Sequence, residues 1–226
     1  NKRAYPLPNH TFYYTPQWSA DGNHLAYHDT DYNVWHINLT SGIATMVDTD
    51  RYAHPNRTLD PVWSPDSKWI AYARQLDSHF KAVFVYNIET KQRLQLTDGL
   101  ADAISPQWDA TGKYLYFLAS TDYGLASGWL DMSSYDPTTT RALYAILLSK
   151  DTASPFIPES DDEKAVIEEK SPESSKKSKK KKSDKPVADE VQVSVSIDLD
   201  NIERRIVALQ NSTGNYTGLI AGPENS

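Results

Sequence analysis

The chain has 226 residues, 39% of them hydrophobic and 11% aromatic, enough for a substantial core in one or two domains. Its formal net charge of -7 does not suggest a nucleic-acid surface, and the absence of cysteine excludes disulfides, thiolate metal sites and a cysteine nucleophile. No apolar run reaches the ~18 residues that a membrane-spanning helix needs, so no membrane partner is expected.

Residues Asn1 to Thr11 are polar, with Pro6 and Pro8, and read as an entry strand or loop. From there the chain turns repetitive. Pro16-Gln17-Trp18-Ser19-Ala20-Asp21-Gly22 is followed by apolar stretches at His24 to Tyr27, Val34 to Ile37 and Ile43 to Val47. A second copy runs from Pro61-Val62-Trp63 through a turn at Ser64-Pro65-Asp66-Ser67 into Trp69 to Arg74, then Ala82 to Ile88 and Arg93 to Leu96. The third begins Pro106-Gln107-Trp108-Asp109-Ala110-Thr111-Gly112 and continues Tyr114 to Leu118.

Trp18, Trp63 and Trp108 are 45 residues apart, and so are Pro16, Pro61 and Pro106. Four short strands per unit at a period of ~40–45 are the signature of a propeller blade. A plain antiparallel meander with chance regularity is the alternative. Within the second copy, Ala82, Val83, Phe84, Val85 and Tyr86 are apolar on consecutive positions. Both faces of that strand should therefore be covered, as in a sheet wedged between two others. Gly22, Ser67 and Gly112 sit where a tight hairpin needs positive φ.

After the third copy's second strand comes an aromatic, glycine-containing insertion, Ser120 to Arg141, expected to be ordered and packed on the rim, ahead of the apolar strand Ala142 to Leu148. Between Glu159 and Glu190 nine lysines face ten acids with few apolar residues, which reads as disorder. Its lysine run, Lys176 to Lys185, suits a solvated linker; a contact to an anionic partner is the sharper alternative. Val191 to Ile197 alternates as a strand, Ile202 to Leu209 is apolar, and Gly218 to Gly222 resembles the start of another strand. The expected fold is all-β: a partial β-propeller of three four-stranded blades over residues 1–150, a disordered charged linker over 151–190, and a closing strand with the start of a second propeller over 191–226. The remaining length is too short for a fourth blade, so the sequence reads as a piece of a longer chain.

Pro61 to Tyr72, with its Pro-x-Trp-Ser-Pro-Asp-Ser-Lys-x-Ile-Ala-Tyr pattern, resembles the propeller repeat of the TolB, prolyl oligopeptidase-like and tricorn protease families. The third copy narrows the choice. Leu96-Thr97-Asp98-Gly99, Ser105-Pro106 and Gly112 to Phe117 resemble the last blade of the six-bladed propeller of tricorn-like peptidases, and Gly128 to Ser133 resembles the insertion there. Ser154-Pro155-Phe156, Glu159-Ser160-Asp161 and Ile197 to Ile206 look like the path that leads in that family from the first propeller into a second, with Asn215-Tyr216 and Gly218-Leu219 resembling its opening strand.

The resemblance implies a large serine peptidase with two propellers, a PDZ-like module and a catalytic core, acting on peptides and assembling as a homo-oligomer. This segment would be non-catalytic and shape access to a distant active site. The alternatives are a TolB-like binding module and the propeller lid of a prolyl oligopeptidase-type hydrolase. A cytoplasmic location is implied, with a periplasmic one as the alternative.

No catalytic or cofactor-binding residue is assigned, since there is no Gly-x-Ser-x-Gly, His-Glu-x-x-His or glycine-rich phosphate loop. His24 and His28 flank one strand with His36 on the next, but a metal needs a closed ligand set that they do not supply, so no metal is assigned. Asp21, Asp66 and Asp109 or Asp131 read as turn acids. The three repeat tryptophans read as wedges between blades.

Overall fold

The computed structural model describes residues 3–8, 11–51, 59–122, 139–155 and 193–222. Three four-stranded antiparallel sheets account for the strands. The first runs β1 (Tyr13–Trp18), β2 (His24–Asp29), β3 (Asn33–Asn38) and β4 (Ala44–Thr49) in chain order. The second repeats it with β5 (Val62–Trp63), β6 (Trp69–Gln75), β7 (Lys81–Asn87) and β8 (Arg93–Gln95). The third holds β9 (Asp102–Trp108), β10 (Tyr114–Ser120) and β11 (Ala142–Leu147), and is completed by β12 (Ile206–Ala208), far along the chain. Tyr144 pairs with Ala208 and Ile146 with Ile206 across that last seam. The expected insertion at Gly128 to Ser133, Asp131, the charged stretch from Glu159 to Glu190 and its lysine run lie outside the described residues.

Each first hairpin is built by local chemistry. The Ser19 hydroxyl donates to Asp21 Oδ1 at 2.5 Å, and Asp21 Oδ1 accepts the Asn23 N–H at 3.0 Å. Ser64 and Asp66 repeat this at 2.6 Å, with the Lys68 N–H at 3.1 Å. In the third copy the roles exchange: the Asp109 carboxylate accepts the Thr111 N–H at 3.0 Å and the Thr111 hydroxyl. Gly22, Ser67 and Gly112 close the three turns at φ of 68°, 60° and 71°. A left-handed residue is what such a hairpin demands, and glycine supplies it without a Cβ penalty.

β7 is covered on both faces, as its unbroken apolar run requires. Val83 and Val85 pack with Leu115, Phe117 and Ile146 of the third sheet, while Ala82, Phe84 and Tyr86 pack with Ala26, Val34 and Val47 of the first. The second sheet is thus the middle blade. Neighbouring first strands also touch, β1 with β5 and β5 with β9, so these strands gather on one side of the three sheets.

Two terminal expectations resolve differently. Residues 193–199 join no ladder. The Val195 N–H is taken by Asp66 Oδ2 at 2.9 Å, and Val195 packs into the core beside Gly112, so the segment straddles hairpin tips instead of pairing along an edge. Residues 218–222 form no strand either; Leu219 is held by the Ser105 hydroxyl, which accepts its N–H at 2.9 Å.

Candidate functional site: the joints between blades

The joints are where repeat-specific side chains converge. The Trp63 indole N–H donates to the Gln17 carbonyl at 3.0 Å, and the Trp108 indole N–H to the Val62 carbonyl at 3.2 Å. In both cases the acceptor directly precedes the tryptophan of the blade before. Each indole therefore ties its blade to the previous first strand, as the wedge reading expected.

The first joint carries a buried polar network. Asp48, on β4, is 2% exposed and accepts the Tyr72 hydroxyl at 2.7 Å and Arg93 Nη1 at 2.8 Å, with Arg74 Nη1 at 3.4 Å. The Arg74 guanidinium also lies 4.4 Å from the centroid of the Phe84 ring. Burial and the neighbouring Asp48 carboxylate push the Tyr72 phenol well above its ordinary range, which keeps it a donor. At the second joint this pair is replaced by apolar groups. Asp48 lies opposite Val34 on its ladder, Leu96 occupies the matching place beside Val83, and Phe117 stands where Tyr72 stood. Acceptor and hydroxyl are exchanged together, so no orphan is left.

His24 and His36, but not His28, meet at the first joint. Their rings lie 6.0 Å apart, and Trp63 sits 5.6 Å from His24 and 6.2 Å from His36. Burial pushes His36 down to about 4, with His24 and Lys91 adding repulsion, and its Nδ1 is buried without a partner. His28 instead stacks on Tyr14 and shares a hydrogen bond with the Thr15 hydroxyl at 2.9 Å. The triplet is thus split between a packed joint and a first-strand contact. Among the described residues no group of His, Asp and Glu is arranged to hold a metal.

Two features escaped the sequence reading. Thr15, Asp60 and Ser105 have φ of 47°, 41° and 53° and recur at 45-residue spacing, three positions before each tryptophan. Non-glycine residues in this region cost about 1–3 kcal/mol each, so the first strands store strain at one repeated point. The second feature is the clamp formed by Asp198 and Arg205. Asp198 accepts the Lys150 N–H at 2.9 Å; Arg205 donates to the carbonyls of Leu147 at 3.0 Å, Asp200 at 2.9 Å and Asp198. Ile202, between them, is buried in the core. The clamp delivers β12 to the edge of β11, a job that alternation of apolar residues does not announce.

Repeated four-stranded sheets, packed face to face and tied by one indole per joint, define three consecutive blades of a β-propeller. The chain belongs to the family described as the tricorn protease second β-propeller domain, whose model matches residues 6–225. It is similar to a tricorn protease homolog of Saccharolobus solfataricus, 26% identical over 102 residues, which is 45% of this chain and 9% of that protein. The crystal structure of the tricorn protease aligns with 92% of this chain and 18% of its own at a TM-score of 0.61 and 16% identity. TolB from Acinetobacter baumannii aligns with 65% of this chain and 32% of its own, at a TM-score of 0.46 and 15% identity. The chain thus spans a small fraction of the tricorn relatives it matches. No helix among the described residues is long and apolar enough to cross a membrane.

Proposed function

We propose that this chain is a non-catalytic propeller segment of a tricorn-like serine peptidase, shaping the access of peptide substrates to an active site elsewhere in the same protein. The observation that carries the reading is the family match across residues 6–225, on a fold whose first strands gather side by side. Residues 1–150 carry the three blades except the fourth strand of the third, 151–190 are a linker, and 191–226 hold that closing strand, β12, and the approach to a further propeller. The partners are the remaining domains of that protein, further copies of it in a homo-oligomer, and peptides passing through. A cytoplasmic location goes with this reading; the comparisons lend no support to the periplasmic alternative.

First strands that border a path for peptides discriminate by substrate length. In the full-length peptidase, Gln17→Trp and Gln107→Trp, on β1 and β9, should lower kcat/KM for long peptides while sparing short chromogenic ones. Equal effects at all lengths, or none, would overturn the reading.

A further inference from the structure

The third blade holds a piece of polypeptide by its main chain. Ser105, on β9, accepts the Leu219 N–H at 2.9 Å and donates to the Leu219 carbonyl at 3.4 Å. Arg141 Nη1 donates to the Tyr216 carbonyl at 3.1 Å. Only backbone groups of residues 216–219 take part in these bonds, and the next side chain, Ile220, is 89% exposed. A hydroxyl and a cation thus suffice to grip a passing chain whatever its side chains.

The second blade repeats both positions. Asp60 precedes Ser105 by 45 residues and shares its left-handed backbone. Trp69 pairs with Asn87 and Tyr114 with Leu147, and Lys81 and Arg141 each stand six residues before those partners, where the third strand begins. Asp102, fully buried, joins the two places: its Oδ1 accepts the Lys81 N–H at 3.0 Å and its Oδ2 lies 3.6 Å from Arg141 Nη2. Only the third blade's pair is occupied. Among the described residues the Lys81 amine and the Asp60 carboxylate have no hydrogen-bond partner and no close ion pair, although both residues are partly buried. Burial lowers the Lys81 pKa, against the attraction of Asp102 and Asp60. Charged groups partly withdrawn from water and left unpaired are costly, and a ligand that pairs with both recovers that cost.

We infer that Lys81 and Asp60 form a second station for polypeptide backbone, whose occupant is a peptide substrate. The Lys81 amine donates to a peptide carbonyl, as Arg141 does to Tyr216, and the Asp60 carboxylate accepts a peptide N–H, as Ser105 does from Leu219. The inference rests on the reading that peptides pass along the first strands, and it names the groups that hold them there. Recognition is of main chain, so it is indifferent to peptide sequence.

The test is fluorescence anisotropy on the full-length protein, treated with a serine-directed fluorophosphonate to stop cleavage. The probe is a long peptide of alanine, glycine and serine, blocked at its ends and carrying a neutral dye, which offers a charged pair little besides backbone. Lys81→Met should weaken its binding about tenfold and Lys81→Arg by no more than about twofold. Asp60→Asn, a residue type at ease in left-handed backbone, should weaken it about threefold. The same probe N-methylated along its backbone should bind the unaltered protein about tenfold more weakly. Unchanged binding in Lys81→Met and Asp60→Asn, or equal binding of the N-methylated probe, would overturn the inference. Loss in Lys81→Arg as large as in Lys81→Met would mark Lys81 as structural and also overturn it. The readout uses no turnover. A failure here with length selectivity intact in the Gln17→Trp and Gln107→Trp variants sinks the station alone; lost selectivity with the station intact sinks the access reading.

Discussion

Asp48→Ala isolates the chemistry of the first joint. The carboxylate is 2% exposed and holds Tyr72 at 2.7 Å and Arg93 at 2.8 Å, with Arg74 at 3.4 Å. Its removal leaves the fully buried Tyr72 hydroxyl without an acceptor, which costs about 1–3 kcal/mol. Arg74 also loses its counter-ion beneath the interface, where breaking a buried pair costs roughly 3–5 kcal/mol. That second figure is discounted, because the Arg74 and Arg93 side chains are 27% and 54% exposed and partly return to water. The combined loss is about 3–4 kcal/mol, a large share of a typical domain stability of roughly 5–15 kcal/mol. Urea denaturation monitored by tryptophan fluorescence should show the midpoint falling with little change in slope. Adding Tyr72→Phe to Asp48→Ala should recover about 1–2 kcal/mol, because the orphaned hydroxyl is gone. A loss under ~1 kcal/mol for Asp48→Ala, or no recovery in the double variant, would refute the network as described.

Other expectations follow from the same geometry. Trp63→Ala removes a wedge and its hydrogen bond to Gln17 and should cost about 3–5 kcal/mol by chemical denaturation. His36, with its folded-state pKa near 4 against an ordinary 6.5, binds fewer protons folded than unfolded between those values. Its contribution should therefore be present above about pH 6.5 and fade as pH falls towards 4, by up to about 3 kcal/mol, and His36→Phe should flatten this part of a pH-stability profile. Gly112→Ala places a Cβ 2.8 Å from Val195 Cγ2, whereas Gly22→Ala meets nothing within 4 Å. Both bear the left-handed penalty of about 1–2 kcal/mol, but Gly112→Ala alone should speed proteolysis near Val195. Deleting Ser171 to Lys185 from the full-length protein should leave its melting temperature unchanged.

Much of this fold could be read from period and alternation. Pro-x-Trp at a constant interval fixes where each first strand ends, and the consecutive apolar run of β7 announces a sheet covered on both faces. The indole contacts were legible as wedges, though not as hydrogen bonds to the carbonyl before the preceding tryptophan. Side chains that act across joints were not legible. Asp48 and Tyr72 are 24 residues apart, and nothing in either neighbourhood shows that one sheet will lay its edge over the other. Residues 193–197 alternate well enough to be read as a strand, but the pattern cannot reveal that the Asp66 carboxylate captures the Val195 N–H. The left-handed Thr15 and Ser105 gave no compositional signal, because neither residue type is enriched at positive φ; Asp60 alone is of a type that is.

The central claim is that three blades following a 45-residue repeat meet at two joints, each tied by one indole. Hydrogen exchange of the indole N–H groups, followed by NMR on this 226-residue chain with ¹⁵N-labelled tryptophan, tests it most directly. Slow exchange is expected at Trp63, whose N–H is held by the Gln17 carbonyl, and at Trp108, whose N–H is held by the Val62 carbonyl, with fast exchange at Trp18. All three indoles exchanging at one rate would contradict it.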